Sequence, residues 1–511
     1  MAQDKKQSSL TVQALWLLIA KTLAFIFAFV LPILLTRTLS QNEYGLFKQV
    51  FLIVTSATSL LPFGFGLSAY YYLPREKDPR QRGQIILNIL LFNGLIGFAA
   101  CLLLVLWPGL IVQIFSDQTI RLYAAPIGVV ILLWLFSSFL EIAAIANQEL
   151  RLATVFIVLG QLSRTALLIA AALIFDSVRA LIYAAIIQGS LQCVALLWYV
   201  SSRFPHFWRS FDWELTKKQI AYAVPFGLVG LLYTVQTDLH NYFVSNRFNA
   251  ATFAIYSIGV AQLPLVGLLR ESVANVILPR ISYLQKHDQA DEIVVLLANA
   301  IRKLAAFYLP LFAVLMVTGR EFLTVLFTSA YAHSWPVFAI NLLLLPISLL
   351  EVDAVVRAYE SYRFFIVKLQ IVITVIMVFA LWVGIARFGL VGAISVVVII
   401  NFLLRAVLAI KFGRVVGFAK RDLVLFKDLW KLALASAIAA LLTLIIRSVL
   451  LGAGARAFTV LLVSFAVFGV VYLLLLILLR VVTDDERAKM KQLAGRLQHA
   501  VYFRRSANSI S

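Results

Sequence analysis

The strongest constraint in this sequence is a series of long apolar runs, separated by short connections that contain charged residues, proline or glycine. A transmembrane helix needs about 20 mostly apolar residues, and we count fourteen such runs. Of the 511 residues, 62% are hydrophobic and only 13% are charged, whereas about 25% of the residues in a soluble domain are charged. We therefore predict an all-α polytopic membrane protein with about 14 transmembrane helices.

The ends of the apolar runs set the approximate boundaries of the predicted spans. These are 11–35, 45–71, 83–107, 120–146, 153–175, 180–202, 219–245, 253–278, 293–317, 335–357, 365–387, 391–411, 431–451 and 457–480.

Lys and Arg are unevenly distributed between the two sides of these spans. If the N-terminus is cytoplasmic, 28 of the 44 basic residues fall on the inner side, 8 on the outer side and 8 within the spans. Cytoplasmic connections of membrane proteins carry an excess of Lys and Arg. We therefore expect both termini in the cytoplasm. The net charge of +20 then reflects topology rather than binding to nucleic acid.

An internal repeat appears when the chain is compared with itself. Phe139–Val158 resembles Leu349–Val367. The stretch that begins at Arg37 also resembles the stretch that begins at Arg247, and both pairs have an offset near 210 residues. This predicts two six-helix bundles in pseudo-twofold repeat, related by an axis along the membrane normal. The predicted parts are an N-terminal bundle (1–207), a C-terminal bundle (208–418), accessory helices 13 and 14 (419–482) and a cytoplasmic amphipathic tail (483–511).

The arrangement of spans and one N-terminal stretch resemble a known family. Leu-Thr-Arg-Thr-Leu at 35–39 runs into Glu43-Tyr44-Gly45-Leu46-Phe47, and Gly64 to Tyr71 precede the first basic inner loop. With a six plus six plus two arrangement, this resembles the Wzx-type oligosaccharide flippases of the multidrug/oligosaccharidyl-lipid/polysaccharide exporter superfamily.

The resemblance implies a V-shaped pair of bundles that alternates between inward-open and outward-open states. The implied substrate is an oligosaccharide repeat unit on a polyprenyl pyrophosphate, moved from the inner to the outer leaflet of the bacterial inner membrane for a surface polysaccharide. The implied partners are this lipid-linked oligosaccharide, membrane lipids, and polysaccharide polymerase and chain-length proteins, with no nucleic acid.

Charged residues inside spans are candidates for function because an unpaired charge in a bilayer costs several kcal/mol. Lys21 lies about ten residues into the first span, about 15 Å deep at 1.5 Å per residue. A cationic cavity would suit a pyrophosphate, since Arg and Lys bind phosphate well. The alternative is that these cations pair with carboxylates to hold the bundles together. The candidates are Lys21, Arg164, Arg270, Arg357 and Arg405.

Carboxylates inside spans are candidates for ion coupling or gating, because a buried carboxylate can carry a proton or bind Na⁺. Glu141 and Glu351 occupy equivalent repeat positions, which suggests paired inner-gate contacts. Asp353 lies four residues before Arg357, so a structural ion pair is the alternative there. For Asp238 with His240, the alternative is a hydrated outer rim. The candidates are Glu141, Asp238, Glu271, Glu351 and Asp353.

Two other function classes remain open, an ion-coupled drug exporter of the same superfamily and an integral-membrane polysaccharide polymerase or ligase. The predicted outer connections are short, the longest being about 17 residues from Thr318 to Ser334. No nucleotide-binding, metal-binding or catalytic motif emerges, and the only cysteines, Cys101 and Cys193, lie in apolar runs. We therefore expect a transporter rather than an enzyme, with no metal or cofactor. Its energy is expected from an ion gradient, with H⁺ or Na⁺ as the candidate ions, or from the membrane potential, if not from downstream consumption of the substrate.

Overall fold

The computed structural model describes residues 10–115, 117–209, 211–350, 355–356 and 359–481, and every regular element within them is a helix. This confirms the predicted all-α class. A helix satisfies its backbone hydrogen bonds within one segment, which a bilayer requires because lipid offers no partners. The predicted tail at 483–511 lies outside the described residues.

Several α-helices of the described residues have bounds close to those of the apolar runs, whereas others divide or join runs. In chain order they are α1 (Leu10–Thr38), α2 (Gln41–Leu60), α3 (Ser68–Tyr72), α4 (Pro79–Leu106), α5 (Gly109–Phe115), α6 (Ala124–Ser137), α7 (Phe139–Ala146), α8 (Leu150–Phe175), α9 (Val178–Arg203), α10 (Trp213–Arg247), α11 (Ala250–Gly259), α12 (Pro264–Lys286), α13 (Ala290–Phe327), α14 (Trp335–Leu342), α15 (Leu344–Ile347), α16 (Arg363–Val415), α17 (Lys427–Gly452) and α18 (Ala457–Leu478).

Ten helical segments of the described chain are long and apolar enough to cross a membrane, and there are twelve if two bent pairs each count as one span. The chain is therefore a multi-pass membrane protein, although the predicted count of fourteen is not confirmed. One bent pair joins α2 to Phe65–Tyr72, and the other is α10, bent beside Pro225. Each is bent by 43°.

Helix α16 accounts for part of the difference in count. Its 53 residues would extend about 80 Å at 1.5 Å per residue, far more than a hydrocarbon core of about 30 Å. Gly389 interrupts it with a left-handed φ of 58° and a ψ of −135°, a conformation that glycine adopts without a steric penalty. The break falls between the predicted spans 365–387 and 391–411, so α16 covers both.

The predicted span 253–278 is not continuous. Helix α11 ends at Gly259 after 10 residues, and α12 begins at Pro264. Proline donates no backbone hydrogen bond, so it favours the first turn of a new helix over the interior of a continuous one.

The described chain divides into two compact units. The first comprises the described residues of 10–271, 323–341 and 360–404, and the second comprises those of 272–322, 342–359 and 405–481. The division into bundles at 1–207 and 208–418 stays a prediction.

Within the first unit, α2 packs closely against α11. A capping box between Ser40 and Glu43 begins α2, which satisfies backbone donors that have no partner within the helix. At Gly45, an added Cβ would lie 1.9 Å from the carbonyl oxygen of Ala250. Only glycine permits so close an approach of the two helices.

The two copies of the proposed repeat share a local structure at this contact. Helix α1 ends at Thr38 and α2 begins after the cap residue Ser40, while α10 ends at Arg247 and α11 begins after the cap residue Asn249. The side chain of each cap residue accepts a hydrogen bond from the third residue after it. The sequence echo at Arg37 and Arg247 therefore coincides with the same helix–cap–helix unit in both copies.

In the second unit, a buried ion pair joins α13 to α17. Arg447 donates to both carboxylate oxygens of Glu321, at 3.1 Å and 2.7 Å, and these side chains are 20% and 7% exposed. We expected an outer connection from Thr318 to Ser334, and its predicted start was wrong because α13 continues to Phe327. Glu321 therefore lies on a helix, where Arg447 can reach it.

We predict that Glu321→Ala lowers the free energy of unfolding by about 3 kcal/mol, because it leaves the Arg447 guanidinium buried without its partner. Denaturant titration of the purified protein in detergent micelles measures this change. Asp291→Ala is the matched control, since Asp291 lies on the same helix and its ion pair with Arg421 is exposed. Its expected effect is below about 1 kcal/mol. Equal losses in both variants would contradict a special role for the buried pair.

Candidate functional site

The predicted site residues fall in different parts of the described chain. Those in the first unit are Lys21, Glu141, Arg164, Asp238, Arg270 and Glu271, and Arg405 lies in the second. Glu351, Asp353 and Arg357 lie outside the described residues. The roles of all these residues in binding and coupling stay predictions.

Lys21 and Glu141 come together in the first unit. Lys21 lies on α1 and Glu141 on α7, and the two are close enough for an electrostatic interaction. The Tyr70 hydroxyl on α3 also interacts electrostatically with Glu141. Glu141 is half-buried, while Lys21 is exposed. Three separate chain segments therefore contribute polar groups to one cluster, which we call the Lys21 cluster.

Arg164 lies on α8 and packs against an aromatic ring on α6. Its guanidinium carbon lies 3.8 Å from the centroid of the Trp134 ring, which attracts a cation through its quadrupole. The Trp134 Nε1 donates to the carbonyl oxygen of Ala185 at 3.1 Å, which orients the ring. The Arg164 Nε atom is buried and has no hydrogen-bond partner among the described residues. One guanidinium donor is therefore unused.

Asp238 on α10 faces α2. The Ser56 hydroxyl donates to its Oδ2 atom at 2.7 Å, and the Tyr242 hydroxyl interacts with it electrostatically. In the described residues, no Lys or Arg forms an ion pair with Asp238. A half-buried carboxylate held by a hydroxyl is a chemically suitable place to take up a proton or contribute to a Na⁺ site.

His240 does not lie at a hydrated rim. Its side chain is buried, and its Nδ1 atom shares a hydrogen bond of 2.9 Å with the Tyr256 hydroxyl. The interpretation of Asp238 and His240 as a hydrated outer rim was therefore wrong for His240. The two side chains point to different neighbours, because residues two apart on a helix lie on different faces.

The remaining described candidates have less distinct surroundings. Arg270 is half-buried and Glu271 is exposed on α12. Arg405, on α16, donates from Nη1 to the carbonyl oxygen of Leu350 at 3.3 Å. That bond shows that a backbone carbonyl contributes to holding this cation within a span.

The sequence search missed several uncharged polar groups inside the first unit. Both side-chain amide atoms of Gln49 and of Gln188 are buried and have no described partner, and neither side chain is exposed. Lys48, one of the 8 basic residues on the predicted outer side, is half-buried on α2, with its Nζ atom 5.8 Å from the Tyr44 ring centroid. Neutral amides within apolar runs could have indicated these positions, but the sequence-based prediction of site residues rested on formal charge.

In the described part of the chain, no three His, Cys, Asp or Glu side chains come together as a metal site would require. Cys101 and Cys193 are both free thiols. Among these residues, the polar groups of the candidate site are cations, hydroxyls, amides and carboxylates.

Comparison with known families identifies the chain. The family model described as "Polysaccharide biosynthesis protein" matches residues 34–336, which is more than half of the chain. The chain belongs to this polysaccharide biosynthesis protein family. The match includes the 35–71 stretch on which the resemblance was drawn, and it confirms that resemblance to the Wzx-type flippases. A comparison with curated proteins finds no match.

Solved structures show the fold of this family member. The lipid II flippase MurJ in an inward closed conformation has a TM-score of 0.71 and 15% identity, over 91% of this chain and 99% of that chain. An inward-facing multidrug resistance MATE family transporter of the MOP superfamily has a TM-score of 0.55 and 14% identity, over 79% and 96% of the two chains. A mutant of the Vibrio cholerae MATE transporter VcmN has a TM-score of 0.51 and 13% identity, over 81% and 97%. The chain therefore has the fold of these membrane transporters.

We predict that Lys21→Met and Glu141→Gln are coupled, because each removes one charge of an interacting pair. The loss of unfolding free energy in the double variant should be about 1 kcal/mol smaller than the sum of the losses in the two single variants. Denaturant titration of the four proteins of this cycle in micelles gives the coupling energy. A cycle of Lys21→Met with Asp176→Asn, an exposed carboxylate after α8, should show additivity. Additive losses for Lys21 and Glu141 would show that the pair does not interact.

Proposed function

We propose that the protein is a flippase for polyprenyl-pyrophosphate-linked oligosaccharide repeat units. It moves them from the inner to the outer leaflet of the bacterial inner membrane by alternating access, for surface polysaccharide biosynthesis. Membership of the polysaccharide biosynthesis family and the transporter fold support this proposal. Both termini then lie in the cytoplasm, in agreement with the distribution of Lys and Arg.

The observation that carries the proposal is the environment of Arg164. Its guanidinium lies within the membrane span of α8, against Trp134, with a buried Nε donor that has no described partner. A cation in this position is costly unless an anion or a dipole compensates it. A pyrophosphate supplies such an anion, and Arg binds phosphate through several parallel hydrogen bonds.

A drug or cation exporter would need a binding region that accepts an organic cation. Arg164 opposes the binding of an organic cation, because like charges repel in a low dielectric. A polymerase or ligase would need catalytic residues held outside the bilayer. The continuation of α13 to Phe327 shortens the longest predicted outer connection, which supports a transporter rather than an enzyme.

Transport on this proposal draws on an ion gradient, with no metal or organic cofactor. Asp238 is our candidate for the coupling group. Its bond from Ser56 joins α10 to α2, so binding of H⁺ or Na⁺ at this carboxylate would alter a contact between two spans. The lipid-linked oligosaccharide and membrane lipids are the proposed ligands, with polysaccharide polymerase and chain-length proteins as downstream partners.

We predict that Arg164→Ala slows flipping at least about tenfold, because it removes a charge-assisted contact to pyrophosphate. The assay uses liposomes with the purified protein and a fluorescent polyprenyl-pyrophosphate oligosaccharide, and it measures label that becomes protected from a membrane-impermeant quencher. Arg164→Lys keeps the charge and should retain part of the rate. The assay should also show slower flipping by Lys21→Ala and Arg270→Ala.

The matched control is Arg179→Ala, since Arg179 is exposed and lies 5.8 Å from the Tyr183 ring centroid at the start of α9. Its rate should equal that of the wild type. Absence of flipping by folded wild-type protein under every imposed gradient would refute the proposed function. Wild-type rates in the Arg164, Lys21 and Arg270 variants would refute the cationic site alone.

We predict that Asp238→Asn removes the dependence of flipping on an imposed H⁺ or Na⁺ gradient, because asparagine keeps the shape but cannot bind and release the ion as a carboxylate does. The rate is measured in the same liposomes with each gradient imposed separately. Asp176→Asn is the control and should keep the wild-type response. A wild-type flipping rate that does not depend on either gradient would refute ion coupling. A gradient response retained by Asp238→Asn would refute the role of this residue.

A further inference from the structure

Three tyrosine rings from α3 and α10 meet within the first unit. Tyr71 and Tyr72 lie at the end of α3, and Tyr222 lies on α10. The Tyr71 ring centroid is 4.6 Å from that of Tyr222 and 5.0 Å from that of Tyr72, and the Tyr72 and Tyr222 centroids are 6.0 Å apart. All three side chains are half-buried. We call these residues the tyrosine cluster.

A basic side chain covers one face of the tyrosine cluster. The Arg75 guanidinium carbon lies 3.5 Å from the Tyr71 ring centroid, and its side chain is exposed. Among the residues that the structure describes, no carboxylate forms an ion pair with Arg75. Because the planar guanidinium of Arg75 contacts the Tyr71 ring, the N–H donors at the edge of the guanidinium are directed away from the ring.

The loop that carries Arg75 is held in place by a second arginine. Arg82 donates from Nη1 to the carbonyl oxygens of Leu73 and Glu76, at 3.3 Å and 3.1 Å, and from Nη2 to Oδ1 of Asn147. Arg82 is therefore structural, while Arg75 is available for a ligand. The same loop contributes further positive charge at Lys77 and Arg80, both of which are exposed.

The segments that carry the tyrosines each adjoin a bend: Phe65–Tyr72 begins at one, and Trp213–Pro225, which carries Tyr222, ends at the other. The chain bends by 43° between α2 and Phe65–Tyr72, and by 43° in α10 near Pro225. The two bends touch, since a Cβ at Gly227 would lie 2.1 Å from the carbonyl oxygen of Phe63. A change of angle at these bends would separate Tyr222 from Tyr71 and Tyr72 and expose the faces of the rings.

The chemistry of the cluster matches a phosphorylated sugar. The C–H faces of a sugar ring pack on aromatic rings, and phenol hydroxyls exchange hydrogen bonds with sugar hydroxyls. A guanidinium beside the rings binds the phosphate that is linked to the first sugar. On the proposed orientation, the loop from Leu73 to Asp78 is on the inner side, where the substrate is made.

We propose that Tyr71, Tyr72 and Tyr222, with Arg75, form an inner-side binding site for the phosphate-linked sugars of the substrate. The rings bind the sugars and Arg75 binds the phosphate before the substrate moves further into the protein. This site rests on the proposed function, and it is separate from the Lys21 cluster and from Arg164.

The test measures binding of two soluble probes to the full chain in lipid nanodiscs by calorimetry. One probe is a disaccharide linked through pyrophosphate to a short prenyl chain, and the other is the same prenyl pyrophosphate without sugar. We expect Tyr71→Leu and Tyr222→Leu to weaken binding of the sugar probe about tenfold and to leave the sugar-free probe within about twofold. Arg75→Gln should weaken both probes.

Two sets of variants separate recognition from loss of structure. Tyr71→Phe and Tyr222→Phe keep the rings and should retain most of the affinity for the sugar probe. Tyr183→Leu is the matched control, because Tyr183 also lies beside an arginine, Arg179, but on α9, and its affinity should be unchanged. Equal weakening of both probes in the leucine variants would show a structural role and overturn the site.

The two proposals fail in different ways. Wild-type flipping together with unchanged sugar affinity in the leucine variants would overturn this site and leave the proposed function standing. No binding of either probe and no flipping by the folded wild type would overturn both.

Discussion

The bilayer core contains no water to hydrogen-bond a buried polar group, and most features of this structure follow from that constraint. The backbone of the described residues forms helices because a helix satisfies its donors and acceptors internally. Polar side chains within spans then need a partner in the protein. Arg447 finds one in Glu321 and Asp238 finds one in Ser56. Arg164 contacts an aromatic ring, and no carboxylate is described as its partner. Among the cations of the first unit, Arg164 is therefore our main candidate for binding an anion.

Helix α2 and the segment after it organise the first unit. Its first turns approach α11 at Gly45, its last turns hold Asp238 of α10 through Ser56, and the bend after it touches Gly227. Each of these contacts depends on a small side chain or a short polar one. A contact built on close backbone approach has little capacity to absorb added volume, because protein interiors are densely packed. Such contacts favour discrete arrangements over continuous deformation.

The proposed function and the proposed sugar site assign different chemistry to different places. Arg164 lies within a span and supplies positive charge, while the tyrosine cluster lies at the end of α3 and supplies ring faces beside Arg75. A lipid-linked oligosaccharide carries both a pyrophosphate and sugars, so it can satisfy both. An organic cation would satisfy neither arginine. On the proposed function, the two places therefore favour the same class of substrate.

The apolar runs alone determined the helical class, the membrane setting and most helix bounds, because about 20 apolar residues have few other stable arrangements. The break at Gly389 was also foreseen, since charge and glycine separate its two runs. Only the tertiary structure decided which polar groups meet. Lys21 and Glu141 are 120 positions apart in the chain, and Glu321 and Arg447 are 126 apart. The burial of His240 and the tyrosine cluster likewise depend on neighbouring helices, because the period of a helix defines a face but not the residues that the face contacts.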